Sequence, residues 1–197
     1  MALSASVLAN LIETNLQGYG ANGSNLSKFC IAVATGIVMS IVGQSFTTLD
    51  VGTVPGTGAG TGVGITGLSQ STMVNLALAV MVSRGSNAAN LMNAIMMAVV
   101  THLGTASLST IDTPVFLGTG TVVVGSITVV EGAMASNILT QMQGQGAHGS
   151  NLSNLCTAIA TGIASNILSA GTGTLVITGS PSGVPVPGTG TGVGTIA

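Results

Sequence analysis

A short phrase that begins Gly-Ser-Asn occurs three times at nearly equal spacing, and it constrains the fold more than any other feature of this sequence. The copies begin at Gly23, Gly85 and Gly149, so their offsets are 62 and 64 residues. Each copy opens an apolar segment of helical character, and each segment leads to a tract rich in glycine and threonine. Repetition on this scale indicates a structural unit that is used several times.

The first and third copies match most closely. Phe29–Ile37 aligns with Leu155–Ile163 at an offset of 126 residues. The ten residues Pro55–Gly64 align with the eight residues Pro187–Gly194, with an offset of 132 at the shared proline. The middle copy has diverged but keeps its own Gly/Thr tract at Gly118–Gly125. Units of this size bury little surface alone, so we expect one compact body. The predicted units are residues 1–67, 68–128 and 129–197.

The predicted fold class is α+β. Each unit is expected to contain a helix, a second helix and an extended Gly/Thr-rich arm, and the three pseudo-repeats are expected to pack as one helical core with peripheral β arms. In the second helix, Ala32, Gly36 and Ser40 form a small-residue face that permits close packing, while Ile31 and Ile37 are expected to supply bulk. Helices are predicted at about 4–16, 25–42, 73–83, 87–103, 133–142 and 152–168, and extended segments at 45–51, 113–128 and 174–178.

The Gly/Thr alternation of the arms has the period of a β-strand, which places threonine on one face and bare backbone on the other. A flexible low-complexity linker is the alternative interpretation. We favour ordered pairing with a neighbouring molecule, because hydrophobic residues recur after the glycines. The predicted interface residues are Val63, Ile65, Val122, Val124, Val193 and Ile196.

Cys30, Met92 and Cys156 occupy the same position of the three units. If the units pack around a pseudo-threefold axis, these sulfur atoms could approach one another as a redox or metal site. A buried, soft apolar position is the favoured interpretation. The two cysteines are widely separated, so they predict neither a disulfide framework nor a metal site.

Polar residues inside the apolar helices leave two interpretations open. Asn10, Asn75 and Asn137 either bond across helices and fix their register, or face solvent. His102 is expected to lie at a helix end, where it could interact with the helix dipole, and His148 is expected in a turn.

Composition excludes several functions. Charged residues make up 3% of the chain, against roughly a quarter in an ordinary soluble domain. Two basic residues cannot neutralise a nucleic-acid backbone. The Gly-rich tracts lack the lysine or acidic residue of a nucleotide-binding loop, and no reactive cluster is readable. We therefore predict no catalytic, cofactor-binding or metal-binding residues, and no small-molecule substrate. The charged residues are Lys28, Arg84, Glu13, Asp50, Asp112 and Glu131.

An apolar, almost uncharged surface has to be covered by a membrane or by other molecules. A membrane-spanning helix needs about 20 mostly apolar residues, but polar residues such as Lys28, Asn154 and Asn166 interrupt the apolar segments. Flanking basic and aromatic anchors are also missing. We favour a large assembly, and a small membrane-active protein of the holin-like or pore-forming kind is the alternative.

Met97–Leu103 with Gly118–Thr121, and Pro187–Ile196, are the residues that carry a resemblance to a known class. Apolar helix pairs followed by a GTGTG-type tract resemble small virion structural proteins of tailed bacteriophages. The resemblance covers each unit loosely, and triplication in one chain departs from the single-unit pattern. It implies a non-enzymatic capsid decoration or cement protein, or else a neck or tail component. It also implies synthesis in the host cytoplasm, localisation in the virion, and other virion proteins or copies of itself as partners.

Overall fold

A computed structural model describes residues 3–54, 58–81, 87–113, 118–167, 172–178 and 186–195. The described residues are mostly helical with an antiparallel sheet, so the α+β class is confirmed. The helices are α1 (Ala5–Gly18), α2 (Leu26–Ile41), α3 (Gln70–Val80), α4 (Ala88–Leu103), α5 (Glu131–Gly144) and α6 (Leu152–Asn166). The strands are β1 (Ser45–Val54), β2 (Gly58–Val63), β3 (Ser107–Thr113), β4 (Gly118–Thr128), β5 (Thr172–Thr178) and β6 (Val186–Thr195).

The six helices form a ring in which each packs against the next, and α6 returns to α1. Local sequence explains where several of them begin. Ser4 and Ser69 are the N-caps of α1 and α3, and their hydroxyl groups accept hydrogen bonds from the backbone N–H groups of Val7 and Thr72. These bonds satisfy donors that a helix start otherwise leaves free. α2, α4 and α6 carry most of the buried residues and supply the centre of the core.

Close approach between neighbouring helices depends on glycine. A Cβ atom at Gly36 of α2 would lie 2.6 Å from the carbonyl oxygen of Met73 in α3. At Gly162 of α6 it would lie 2.7 Å from Cγ1 of Ile12 in α1. The predicted small-residue face of the second helix is therefore confirmed at Gly36, because only a residue without a side chain fits there.

The strands form a closed antiparallel sheet in sequence order, because β6 pairs with both β5 and β1. The sequence predicted peripheral arms, but in the structure the Gly/Thr tracts of β2, β4 and β6 pair with the strands β1, β3 and β5 of the same chain, with which they alternate. Closing the sheet satisfies the backbone hydrogen-bonding groups of both outer strands, so β1 and β6 present no free edge to a neighbour. Sequence reasoning also missed β3, whose Ser- and Thr-rich sequence has few of the hydrophobic residues that usually mark a strand.

Helices and sheet share one hydrophobic core. Phe46, Leu108 and Ile127 lie near the ends of β1, β3 and β4 that are closest to the helices, and all three side chains are buried in the same cluster as the helix residues. Since β1 follows α2 directly, and α5 follows β4, the helix layer and the sheet meet at this level. The opposite end of the helix layer is formed by the starts of α2, α4 and α6.

Candidate functional site

The outer side of α2 is an exposed apolar face, here called the α2 face and formed by Ile31, Met39 and Val42. Their exposed fractions are 46%, 61% and 45%. Ile31 and Met39 are eight residues apart, so they lie on one side of the helix, two turns apart. Ile31, which was expected to supply bulk beside the small-residue face of this helix, lies on this surface. Large apolar side chains grouped on one helix face are typical of a surface that another molecule covers.

The corresponding positions of α4 and α6 are polar. The sixth residue is Ile31 in α2, Asn93 in α4 and Thr157 in α6, and the fourteenth is Met39, Thr101 and Ser165. Of these three helices, α2 alone carries apolar residues at both positions. Comparing the three helices position by position would have revealed it from the sequence, because the difference in polarity is visible there.

A second surface feature is a cavity of about 570 Å³ where the helix starts converge, here called the helix-end pocket. Its apolar wall includes Phe29, Leu91 and Leu155, which are the fourth residues of α2, α4 and α6. The volume lies within the roughly 300–1,000 Å³ that is usual for binding pockets. The other lining residues are Leu16, Tyr19, Gly20, Ala21, Leu26, His148, Gly149, Ser150, Asn151, Leu152 and Asn154.

The rim of the helix-end pocket is polar, and none of the described lining residues is Asp, Glu, Lys or Arg. Tyr19 is 47% exposed, and His148, Ser150 and Asn151 are also exposed. Asn151 is the N-cap of α6, yet its side chain makes no capping hydrogen bond. The pocket therefore combines an apolar wall with neutral hydrogen-bonding groups at its mouth.

At the other end of the helices, one position carries a polar residue in each of α2, α4 and α6. These fifteenth residues are Ser40, His102 and Asn166. Nε2 of His102 accepts a hydrogen bond from the backbone N–H of Val130, whereas Ser40 Oγ and Asn166 Oδ1 are buried without a partner. Burial lowers the pKa of His102, so its role here is that of a neutral acceptor. His102 lies in the last turn of α4, the helix end at which it was expected.

The three core sulfur positions are all buried. Cys30, Met92 and Cys156 are the fifth residues of α2, α4 and α6, and the two cysteines are free thiols. Burial raises the pKa of Cys30 to about 12, with a smaller contribution from the charge of Glu13, and burial raises that of Cys156 to about 11. The Cys156 thiol lies 3.6 Å from the sulfur of Met142 in α5. These properties fit a buried apolar position.

The predicted interface residues lie in or beside the closed sheet. Val63 pairs with Ser107, and Ile65 is 3% exposed and belongs to the core of the chain itself. The backbone N–H of Ile65 also donates to the carbonyl oxygen of Leu103. Ile65 is therefore covered by its own chain rather than left for a neighbour. Val122 and Val124 lie in β4, Val193 lies in β6 between Thr47 and Thr174, and Ile196 is outside the described residues.

For the three polar helix residues, the structure supports one of the two interpretations. Asn10, Asn75 and Asn137 are exposed, which supports the solvent-facing one. Two other polar residues do bond between helices: the side-chain amide of Asn15 donates to the carbonyl oxygen of Ala158, and that of Gln70 donates to Asn93. The sequence pattern did not identify these two residues.

Comparisons with protein-family models, curated proteins and solved structures find no match to this chain. Within the described residues, no three His, Cys, Asp or Glu side chains are grouped as metal ligands. None of the described helices combines the length and apolar character that crossing a bilayer requires.

Proposed function

We propose that this chain is a non-enzymatic structural subunit of a bacteriophage particle that works through contacts with neighbouring proteins. A capsid decoration or cement protein is the first placement, and a neck or tail component is the second. The α2 face is the observation that carries the proposal, because it leaves Ile31, Met39 and Val42 exposed in a chain with 3% charged residues. An exposed apolar face in such a chain is stabilised when another molecule covers it.

The proposal includes an internal triplication. The helix and strand order supports it, since two helices followed by two strands occur three times. Further support comes from equivalent contacts: Gly36 packs on α3 and Gly162 packs on α1, in both cases at the eleventh residue of the helix. A chain that contains three related units could meet three different neighbours, because each unit keeps the fold while its surface changes. The α2 face fits this idea, since one unit alone presents it.

In this proposal the chain contacts its neighbours through helix faces, and not through the Gly/Thr arms as the sequence predicted. Strand addition by the Gly/Thr tracts requires unpaired strand edges, and the described tracts are paired on both sides. Side-chain contacts from the α2 face require no change in the sheet. Burying three large apolar side chains contributes about 1.5–3 kcal/mol each before the cost of association.

Grafting the residues of α6 onto α2 tests the proposal. The variant Ile31→Thr with Met39→Ser keeps the helix and removes the apolar face, and incorporation into purified particles is measured by quantitative mass spectrometry. We expect incorporation to fall at least about tenfold, as the loss of two buried apolar contacts implies. Thr101→Ser, which introduces the same serine at the α4 position that corresponds to Met39, is the control and should incorporate normally. Unchanged incorporation of the grafted variant would refute the role of the α2 face, and absence of the wild-type chain from particles would refute the virion assignment.

A further inference from the structure

Asn22 and Gly23 form the only Asn-Gly pair in the sequence, because every other asparagine is followed by leucine, isoleucine or alanine. The pair lies in the connection between α1 and α2, outside both helices, and both residues are exposed. The carboxamide carbon of an asparagine and the backbone nitrogen of the next residue can join in a five-membered ring. A following glycine leaves that nitrogen the most accessible, because glycine has no Cβ atom.

The backbone nitrogen of Gly23 is open to reaction. Among the described residues, no group accepts a hydrogen bond from it. A Cβ atom built at Gly23 would meet nothing within 4 Å, so no neighbouring group covers this residue. The carbonyl oxygen of Gly23 accepts a hydrogen bond of 3.1 Å from the backbone N–H of Leu26, which holds the turn into α2. An ordered loop therefore presents the Gly23 nitrogen to solvent, where water can take its proton.

The side chain of Asn22 is held by one exposed contact. Its Nδ2 atom donates a hydrogen bond of 3.0 Å to the carbonyl oxygen of Gly20. Such a bond exchanges with bonds to water, so its net strength is small. Asn22 is also outside the hydrophobic core of the chain. Its carboxamide can therefore turn towards Gly23 without moving any buried residue.

The third unit repeats this loop without the reactive side chain. The φ angle is 157° at Gly23 and 153° at Gly149. In both loops the third residue after the glycine donates its backbone N–H to the glycine carbonyl oxygen, at 3.1 and 3.2 Å. The residue before Gly149 is the exposed His148, and an imidazole ring has no carboxamide group. The two loops therefore share their backbone conformation and differ in the side chain that could react.

We propose that Asn22 is a site of spontaneous deamidation in the folded protein. The nitrogen of Gly23 forms a bond to Cγ of Asn22 and loses its proton. The bond between Cγ and Nδ2 breaks, and Nδ2 takes up a proton and leaves as ammonia. Water then opens the resulting succinimide ring at either carbonyl carbon, which gives aspartate or isoaspartate at residue 22. Water is the only co-reactant, and no electrons are gained or lost.

Deamidation would place a formal charge beside the helix-end pocket. One added carboxylate changes the formal net charge of the chain from −2 to −3. Residue 22 directly follows three residues that line the pocket, and none of the described lining residues is Asp, Glu, Lys or Arg. The first turn of α2 contains no acidic residue, and a negative charge near a helix start interacts favourably with the helix dipole. This inference goes beyond the proposed function, because the reaction requires no partner.

Peptide mapping of the native protein tests the site. The protein is incubated at pH 8 and 37 °C, and tandem mass spectrometry follows the gain of about 1 Da at each asparagine. We expect residue 22 to react at least about tenfold faster than any other asparagine, because only its neighbour lacks a Cβ atom. The rate should be lower at pH 6, since the attacking nitrogen must lose its proton. Asn22→His, which copies the third unit, should keep the circular dichroism spectrum and lose the fast reaction. Reaction at residue 22 no faster than at the other asparagines would overturn the proposal.

Transferring the pair to the third unit tests the role of the loop. His148→Asn places a carboxamide before Gly149, and we expect deamidation at residue 148 within about threefold of the rate at Asn22, because the two backbones match. Ser150→Asn is the matched control, since it adds an exposed asparagine to the same loop without a following glycine, and it should react slowly. A slow reaction of His148→Asn would contradict the argument from the loop, and a fast reaction of Ser150→Asn would contradict the need for glycine. Neither result depends on particle incorporation, so the virion assignment is tested separately.

Discussion

Nε2 of His102, near the end of α4, accepts a hydrogen bond of 3.1 Å from the backbone N–H of Val130, the N-cap residue of α5. The N-cap residues of α1 and α3 are serines whose hydroxyl groups cap their own helices. The N-cap residue of α5 is Val130, and its apolar side chain cannot accept a hydrogen bond. The histidine of the preceding helix therefore fixes the chain where β4 leads into α5. Glu131, the next residue, accepts a hydrogen bond from Thr161 of α6, which ties the same helix start to its other neighbour.

The His102–Val130 bond predicts a loss of stability in mild acid. Burial lowers the pKa of His102 in the folded protein, so between the folded and unfolded pKa values the unfolded chain binds more protons. The stability that neutral His102 contributes to the folded protein is therefore fully present above the unfolded pKa of about 6.5. It is lost as the pH falls from that value towards the lower pKa of the folded state. Urea denaturation monitored by circular dichroism between pH 7.5 and 5 measures this slope.

Two substitutions separate titration from hydrogen bonding at His102. His102→Gln keeps an acceptor without a titrating ring and should flatten the pH slope. His102→Leu removes the acceptor and should lower the free energy of unfolding by about 1 kcal/mol at pH 7.5. If His102→Gln retained the wild-type slope, another group would be responsible for it.

Glycine in the helices should respond to alanine in opposite ways depending on its surroundings. Gly36→Ala would place a Cβ atom 2.6 Å from the Met73 carbonyl oxygen and 2.9 Å from Cβ of Ala77. We expect a destabilisation of about 1–3 kcal/mol because α2 and α3 must separate. Gly132→Ala is the matched control, since its Cβ atom would meet nothing within 4 Å in α5. That substitution should stabilise by up to about 1 kcal/mol through helix propensity. Both changes are measured by urea denaturation. If the two substitutions changed the free energy of unfolding in the same direction, the packing argument would be contradicted.

Ser40 is a position where a smaller side chain should stabilise the protein. Its hydroxyl oxygen is buried without a hydrogen-bond partner, and the residue is 5% exposed. Ser40→Ala removes the desolvated hydroxyl and hardly changes the volume, so we expect the free energy of unfolding to rise by about 1 kcal/mol. Thr101→Ser, on the exposed side of α4, should change it by less than about 0.5 kcal/mol. A marked destabilisation by Ser40→Ala would mean that the hydroxyl group has a role that the described contacts do not include.

The cysteines should be unreactive in the folded protein. Burial raises the thiol pKa to about 12 at Cys30 and about 11 at Cys156, and the thiolate is the reactive form. At pH 8 we expect Ellman's reagent to modify neither thiol on the timescale of a free cysteine control, and to modify both after denaturation in guanidinium chloride. Rapid modification of the native protein at either residue would show that this part of the core opens readily.

The sequence predicted the helices well because their apolar residues recur with helical period. The predicted second helix of the first unit, residues 25–42, differs from α2 by one residue at each end. The buried state of Cys30, Met92 and Cys156 followed from their equivalent places in such helices. The exposure of Ile31 did not follow from the helical period, because the uncovered side of a helix is known only once its neighbouring helices are placed.

The sequence was less informative about the strands and about the surface. Strand alternation in the Gly/Thr tracts predicted extended pairing but gave no information about which strand lies beside which. The helix-end pocket combines Phe29, Leu91 and Leu155, which are separated by 62 and 64 residues, and the pattern along the chain assigned them only to helices. Their convergence depends on how α2, α4 and α6 pack.

Local periodicity by itself determined which segments are helical, where the glycines interrupt them, and that a chain with so few charges has apolar surface to cover. Tertiary structure alone decided that the Gly/Thr tracts alternate with other strands of the chain in a closed sheet, that His102 holds the start of α5, and that α2 keeps an exposed apolar face. The physical reason is that hydrogen bonding within a helix is local, whereas strand partners and covered faces depend on contacts between residues far apart in the chain.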